Sequence, residues 1–254
     1  MIRNATRDDL PLIRRLLLRA NDYPYDVQAV AEEKCFGRGG AGEPRVRLHG
    51  QAGVAVTCGL YLRLLAVDRE QRGRGIGTAL LGDSNASVIA AEAGNYFTPG
   101  VLEQDAGFFK KYGYEERAST WNLEAPVIAR VTDPNEDVPN VAASDPHFLA
   151  FVEREFGRIW AFEAARARSA IYLEDIGFAV IEANNRGLGT FGPTGVARRH
   201  RGKGYGRTLL LAALAELGSL GYHRATIPWT DAIDFYRKSC GAEPAHRFVT
   251  LARR

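Results

Sequence analysis

The chain has 254 residues, 46% of them apolar and 25% charged, with three cysteines and 33 basic against 30 acidic side chains. These are globular values that exclude a disordered or collagen-like chain, and a net charge of +3 lacks the basic footprint of a nucleic-acid binder. Cysteines in odd number and without C-x-x-C spacing exclude a disulfide framework and a structural zinc site, and no apolar run nears the roughly 18 residues of a membrane span, so a cytoplasmic chain without metal or membrane contact is expected.

Met1 to Ala5 reads as an opening strand. Thr6 caps a predicted helix through Asp8 to Ala20, whose Leu10, Ile13, Leu16 and Leu17 share one face, with Asp8 and Asp9 in the first turn where the helix dipole favours them. Short strands follow at Arg45–Leu48, Val54–Thr57 and Leu60–Val67. The run Arg72-Gly73-Arg74-Gly75-Ile76-Gly77 then opens an Ala/Leu-rich helix, and Phe108-Phe109 precede Gly113. Literal G-x-G-x-x-G matches at Gly37-Gly39-Gly42 and Gly187-Gly189-Gly192 are each followed by a proline instead of a helix, and are not read as nucleotide sites.

A boundary is expected near Glu124 to Pro126, with Trp121–Leu123 closing one fold and Val127–Val131 opening the next, followed by a Pro/Asp/Asn-rich loop from Thr132 to Asn140. Beyond it, Ser144 or Asp145 caps a helix with Pro146 in its first turn and a buried stripe of Phe148, Val152, Phe156, Ile159 and Trp160. Strands are expected at Ala170–Leu173, Phe178–Ala183 and Leu188–Val196. Val67, Arg72, Gly73, Gly75, Gly77, Leu80 and Leu81 recur 129 positions later as Val196, Arg201, Gly202, Gly204, Gly206, Leu209 and Leu210. The chain is therefore expected to hold two copies of one fold, residues 1–125 and 126–254.

Glycines between a strand and a helix let an anion approach amides that have no partner in the helix. Neither loop has the G-x-x-x-x-G-K-[ST] pattern of a nucleoside-triphosphate site. Both fit R/Q-x-x-G-x-G/A, and the run Arg201-Gly202-Lys203-Gly204-Tyr205-Gly206 repeats it. With the opening Ile2-Arg3-x-Ala5-Thr6-x-x-Asp9-Leu10 and the two aromatic pairs, this resembles the GNAT superfamily of N-acetyltransferases over essentially the whole chain, twice.

The resemblance implies an α/β (α+β) class, each copy a mixed, mainly antiparallel sheet flanked by helices. It implies acetyl-CoA as cofactor, with the strand ends Ala66-Val67 and Gly195-Val196 pairing with pantetheine. Amides across Arg72, Gly73, Arg74, Gly75, Ile76, Gly77 and Thr78, and across Arg201, Gly202, Lys203, Gly204, Tyr205, Gly206 and Arg207, would hold the pyrophosphate. In such enzymes a Tyr of the aromatic pair returns a proton to the leaving thiolate. Tyr236 occupies that position in copy two, whereas copy one has Phe109, so copy two is expected to be catalytic and copy one degenerate. Tyr112 or Tyr114 is the alternative in copy one, and Glu182 or Asp231 is a candidate base.

The acceptor is expected to be a small-molecule primary amine, met in copy one by Asn21–Asp26 and Asn95–Gly100. A non-catalytic acyl-CoA-binding module and a protein Lys or N-terminal acetyltransferase are the alternatives. A monomer with an internal pseudo-dimer, or a homodimer, fits the duplication.

Overall fold

The computed structural model describes residues 1–20, 24–127 and 138–253. Its chain divides into two compact units, one of Met1–Thr120 with Arg247–Arg254 and one of Trp121–His246. The linear division at residue 125 expected from the sequence is replaced by an exchange of strand ends, and the expected strand and loop across residues 128–137 lie outside the described residues.

In unit 1, β1 (Ile2–Asn4) leads to α1 (Leu10–Ala20) and α2 (Val27–Phe36). The helix expected from Asp8 begins two residues later, after a 3-10 turn at Arg7–Asp9. Asp9 closes that turn by accepting from the Arg3 guanidinium (2.6 and 2.9 Å) and the Thr6 amide (3.0 Å), and these bonds hold its carboxyl at about 2. The antiparallel strands β2 (Arg45–His49), β3 (Gly53–Cys58) and β4 (Tyr61–Val67) follow, close to the positions expected. Next come α3 (Ile76–Ser84), β5 (Val88–Ile89), β6 (Val101–Leu102), α4 (Ala106–Lys110) and β7 (Tyr114–Pro126).

Alternation along β3 sends Val54 and Val56 to one face of the sheet and Ala55 to the other. The first pair packs with Ile13, Leu16 and Leu17 of α1. Ala55 packs with Leu80 and Leu81 of α3, and Ile89. Each fully buried Leu or Ile in these layers contributes about 1.5–3 kcal/mol.

Unit 2 repeats the order with β8 (Asn140–Val141), α5 (Pro146–Phe156), α6 (Arg158–Ala164), β9 (Ser169–Leu173), β10 (Gly177–Ile181), β11 (Phe191–Val196), α7 (Tyr205–Ser219), β12 (Arg224–Thr230), α8 (Ile233–Cys240) and β13 (Glu243–Arg253). Asp145 is the cap of α5, its carboxylate accepting from the Phe148 amide at 2.9 Å. The single apolar helical stripe expected through Trp160 is broken. Gly157, at φ +92°, ends α5, and Ile159 (64% exposed) and Trp160 (36%) turn outward on α6. The strand expected from Leu188 begins only at Phe191, because Gly187 and Gly189 have left-handed φ values incompatible with a strand.

The exchange involves the last strand of each copy. Residues 121–126 of β7 pair with β12 in unit 2, placing Leu123 opposite Ile227 and Ala125 opposite Ala225. The end of β13 pairs in unit 1 with β5 through Leu251 and Ile89, and with β6 through Phe248 and Leu102. Phe248, Val249 and Leu251 are 2%, 0% and 0% exposed, so the last residues of the chain belong to the core of the first unit. Leu251→Ala is expected to cost about 2–5 kcal/mol through the cavity it leaves. Urea denaturation monitored by tryptophan fluorescence and circular dichroism checks this.

Candidate active site

β4 and β5 meet through one parallel pair, Tyr61 with Val88, and then separate. In unit 2 the corresponding bridge joins Thr190 to Thr226, and Thr190 lies 129 positions after Tyr61, the offset of the sequence repeat. Where β4 leaves β5, unit 1 has a cleft of about 710 Å³, walled by Leu62–Val67 on the strand and by the glycine turn before α3. Pro24, Thr98, Gly100, Phe108 and Tyr112 also line it.

The glycine turn is shaped by residues only glycine accommodates cheaply. Gly73 and Gly75 have φ of +76° and +78°, a backbone that favours glycine, and nothing lies within 4 Å of a Cβ built on either. Gly202 (+77°) and Gly204 (+91°) repeat this before α7. The arginines opening the two turns are exposed and fold back on the strands: Arg72 Nε donates to Val67 O (3.3 Å) and Arg201 Nε to Val196 O (3.1 Å), each five residues back. Arg72 also donates to Ala20 O at the end of α1 (2.9 Å). Both therefore brace the strand end.

Of the expected unit 1 contacts, Ala66, Val67, Arg72, Gly73, Gly75, Ile76, Gly77 and Thr78 all line the cleft, and exposed Arg74 does not. Thr78 Oγ1 is 2.6 Å from Tyr112 Oη, tying the turn to the cleft's edge. Tyr114 is turned away and donates its hydroxyl to Ala86 O, so it is not available in the cleft. Of the expected acceptor segment 21–26, residues 21–23 lie outside the described residues, while Tyr25 packs on Phe97 with ring centres 4.3 Å apart.

In unit 2, Lys203 and Arg207 are exposed, Tyr205 is half-buried edge-on to His200, and Gly206 is overlain by Phe235. The Arg207 amide bonds back to Gly204 O at 2.9 Å. Gly195 is covered by the Phe156 ring. Tyr236 is 7% exposed, within a core cluster and edge-on to Phe191, and burial, reinforced by Cys240, pushes its hydroxyl up to about 12.

Glu182 is no candidate base. Its side chain is fully buried at a residue with φ +51° and accepts from Tyr222 Oη (2.6 Å), the amides of Gly187 (2.7 Å) and Gly189 (3.2 Å), and Arg168 (3.1 Å). Burial raises its pKa, but these bonds outweigh burial and hold it below the ordinary carboxylate value. Asp231 is exposed beside Asp234 and Phe235.

The sequence reading missed a buried charge cluster around Arg63, a residue of the cleft wall. Arg63 of β4 pairs with Glu92, and Lys34, on the last turn of α2, is 1% exposed with an ammonium that finds no hydrogen-bond partner among the described residues. Burial pulls the Lys34 pKa down to about 7, against the opposing pull of Glu92. Spacings of 29 residues carry no periodic signal. The one clue was Gly39, whose Cβ would collide with Arg63 and Glu92, so the unused glycine run is a packing requirement.

Both units match one family. Residues 29–116 match the profile described as Acetyltransferase (GNAT) domain, and residues 132–242 that described as Acetyltransferase (GNAT) family. The two profiles together take in most of the chain, which belongs to the GNAT acetyltransferase family as a tandem, two-domain acyltransferase of the α/β class. No curated protein matches it.

Solved structures share the fold over nearly the whole chain. A tandem GNAT protein from the clavulanic acid biosynthesis pathway has a TM-score of 0.71 at 16% identity, covering 99% of this chain and 97% of that one. A putative acetyltransferase from Pyrococcus horikoshii has 0.63 at 17%, covering 99% and 88%. A GCN5-related glucosamine N-acetyltransferase region in a fungal multi-domain GH3 beta-N-acetylglucosaminidase has 0.74 at 17%, covering 99% of this chain, which spans 38% of that protein's length. No helix among the described residues is long and apolar enough to cross a membrane.

The lowered pKa of Lys34 has a consequence for stability. The unfolded chain binds a proton up to pH 10.5 that the folded chain has largely lost above pH 7, so this burial costs most below pH 7 and the cost disappears as pH rises to 10.5. Lys34→Met is therefore expected to raise Tm by on the order of 5–10 °C at pH 7. Thermal melts of both proteins across that range should show the gain fading toward its alkaline end.

Proposed function

We propose that the chain is an acetyl-CoA-dependent N-acetyltransferase acting on a small-molecule primary amine, and that its acetyl-CoA lies in the unit 1 cleft. The observation that carries this is the cleft itself, in which a diverging strand end and an open glycine cradle form adjoining walls. Acetyl-CoA supplies an activated acetyl thioester. The amides at the start of α3 hold its pyrophosphate, and the free edge of Leu62–Val67 takes the pantetheine arm as an added strand.

The same strand supplies the electrostatic help that acyl transfer needs. Val56 pairs with Leu64 and Thr57 with Leu62, so Arg63 is the extra residue of a bulge whose backbone faces the cleft. Backbone N–H groups there are preorganised donors toward a carbonyl oxygen gaining charge as the amine attacks. In unit 2 Ala179 pairs with Thr194 and Ile181 with Phe191, so the same bulge falls at Gly192-Pro193, and Pro193 has no N–H to offer. This favours unit 1 as the transferring half, in place of the unit 2 assignment expected from Tyr236.

One observation favours unit 2. Tyr236 keeps its proton to about pH 12, as a donor to a leaving thiolate must, and unit 1 has Phe109 in its place. The small-molecule acceptor is supported by the fold shared with a glucosamine N-acetyltransferase region.

Asparagine tolerates the left-handed backbone but places a side chain in the cradle. Gly75→Asn is expected to weaken acetyl-CoA binding at least about ten-fold in calorimetry and to lower thiol release with an amine panel, whereas Gly204→Asn changes neither. The reverse pattern, with turnover lost in Tyr236→Phe, would assign the reaction to unit 2.

A further inference from the structure

A buried ion pair stands beside the β4 bulge. Arg63 has a side chain 1% exposed, although its residue lines the cleft, so the backbone faces the cleft and the guanidinium points behind it. There it joins three stretches of chain. Nε donates to Glu92 Oε1 at 2.5 Å, and Nη1 donates to Gly37 O at 2.7 Å and to Lys34 O at 3.3 Å. Glu92 Oε2 in turn accepts from Asn95 at 3.2 Å, and the Gly40 amide donates to Ala93 O at 2.7 Å. The end of α2, the turn after it and the segment leading to Thr98 and Gly100 are thereby fixed to the one irregular residue of the strand.

A buried ion pair is a poor source of stability, since desolvation offsets its Coulomb attraction and apolar residues of similar size are often as stabilising. What it gives is a single geometry, because both charges need their partners in one arrangement. Unit 2 has Gly192 at the same register and no side chain there to do this.

We infer that Arg63 and Glu92 are positioning residues for acyl transfer, holding the bulge backbone of β4 in register with the opposite wall of the cleft. This rests on the assignment of acetyl-CoA to the unit 1 cleft. Neither side chain touches the reactants. Their contribution is to the placement of backbone donors and of the acceptor wall, where a displacement of about an ångström lowers rates by up to roughly a hundred-fold.

The test is the charge-free pair Arg63→Met with Glu92→Leu, compared with the parent for acetyl-CoA affinity by calorimetry and for thiol release with ethanolamine, glucosamine, lysine and spermidine as acceptors. The expected result is a folded protein whose acetyl-CoA Kd stays within about two-fold while kcat falls roughly ten- to a hundred-fold. Glu92→Gln, which keeps the shape and an oxygen for Arg63 but puts an NH2 where Asn95 now donates, is expected to retain more activity than the charge-free pair. Should the charge-free pair not fold, Arg63→Lys decides, because an ammonium cannot reach Glu92, Gly37 O and Lys34 O together, and the same fall in kcat at constant Kd is expected. An unchanged kcat, or a fall in kcat matched by an equal loss of acetyl-CoA affinity, overturns the inference. A parent that binds no acetyl-CoA, or binds it and releases no thiol to any of the amines, overturns the reading of the cleft, and the inference with it.

Discussion

The parting of β4 from β5 after a single parallel pair is the constraint on which the site depends. A strand that keeps its partner on one side and loses it on the other exposes a row of backbone donors and acceptors, which are costly to bury unsatisfied and ready to accept an extended ligand. The glycine turn stands where that row ends, with helix amides that have no partners of their own. The proposed acetyl-CoA, an amide-bearing arm joined to a pyrophosphate, would satisfy both at once.

The two units use this device with different fittings. Unit 1 has a residue with a backbone N–H at each step of its bulge, a side chain anchoring that bulge from behind, and a cleft in front of it. Unit 2 keeps the turn and the arginine that braces the strand, but has Gly192-Pro193 at the bulge and Phe156 over Gly195. Tyr236, which by residue type marks unit 2, lies in a core cluster with its ring against Phe191. Chemical identity and accessibility therefore point to different halves.

The ends of β7 and β13 are exchanged between the two sequence copies. Because Val249 and Leu251 complete the core of unit 1, and Leu123 and Ala125 that of unit 2, neither copy taken as a continuous stretch contains all of its own hydrophobic layer. Phe248 also lines the cleft, so a residue from the end of the chain helps to form a site otherwise built from the beginning.

The sequence alone determined what depends on local rules: the glycine turns, the helices after them, the strands of β2 to β4 and the duplication itself. Steric freedom at glycine and the period of apolar residues act over a few positions and leave a readable pattern. It also led to the family, through two motifs in matching context. It did not reveal the Arg63–Glu92 pair, the burial of Glu182 and Lys34, or the crossing of β7 and β13 between units. Those follow from contacts between residues far apart in the chain, where burial, rather than residue type, decides whether a charged group reacts, anchors or merely fills space.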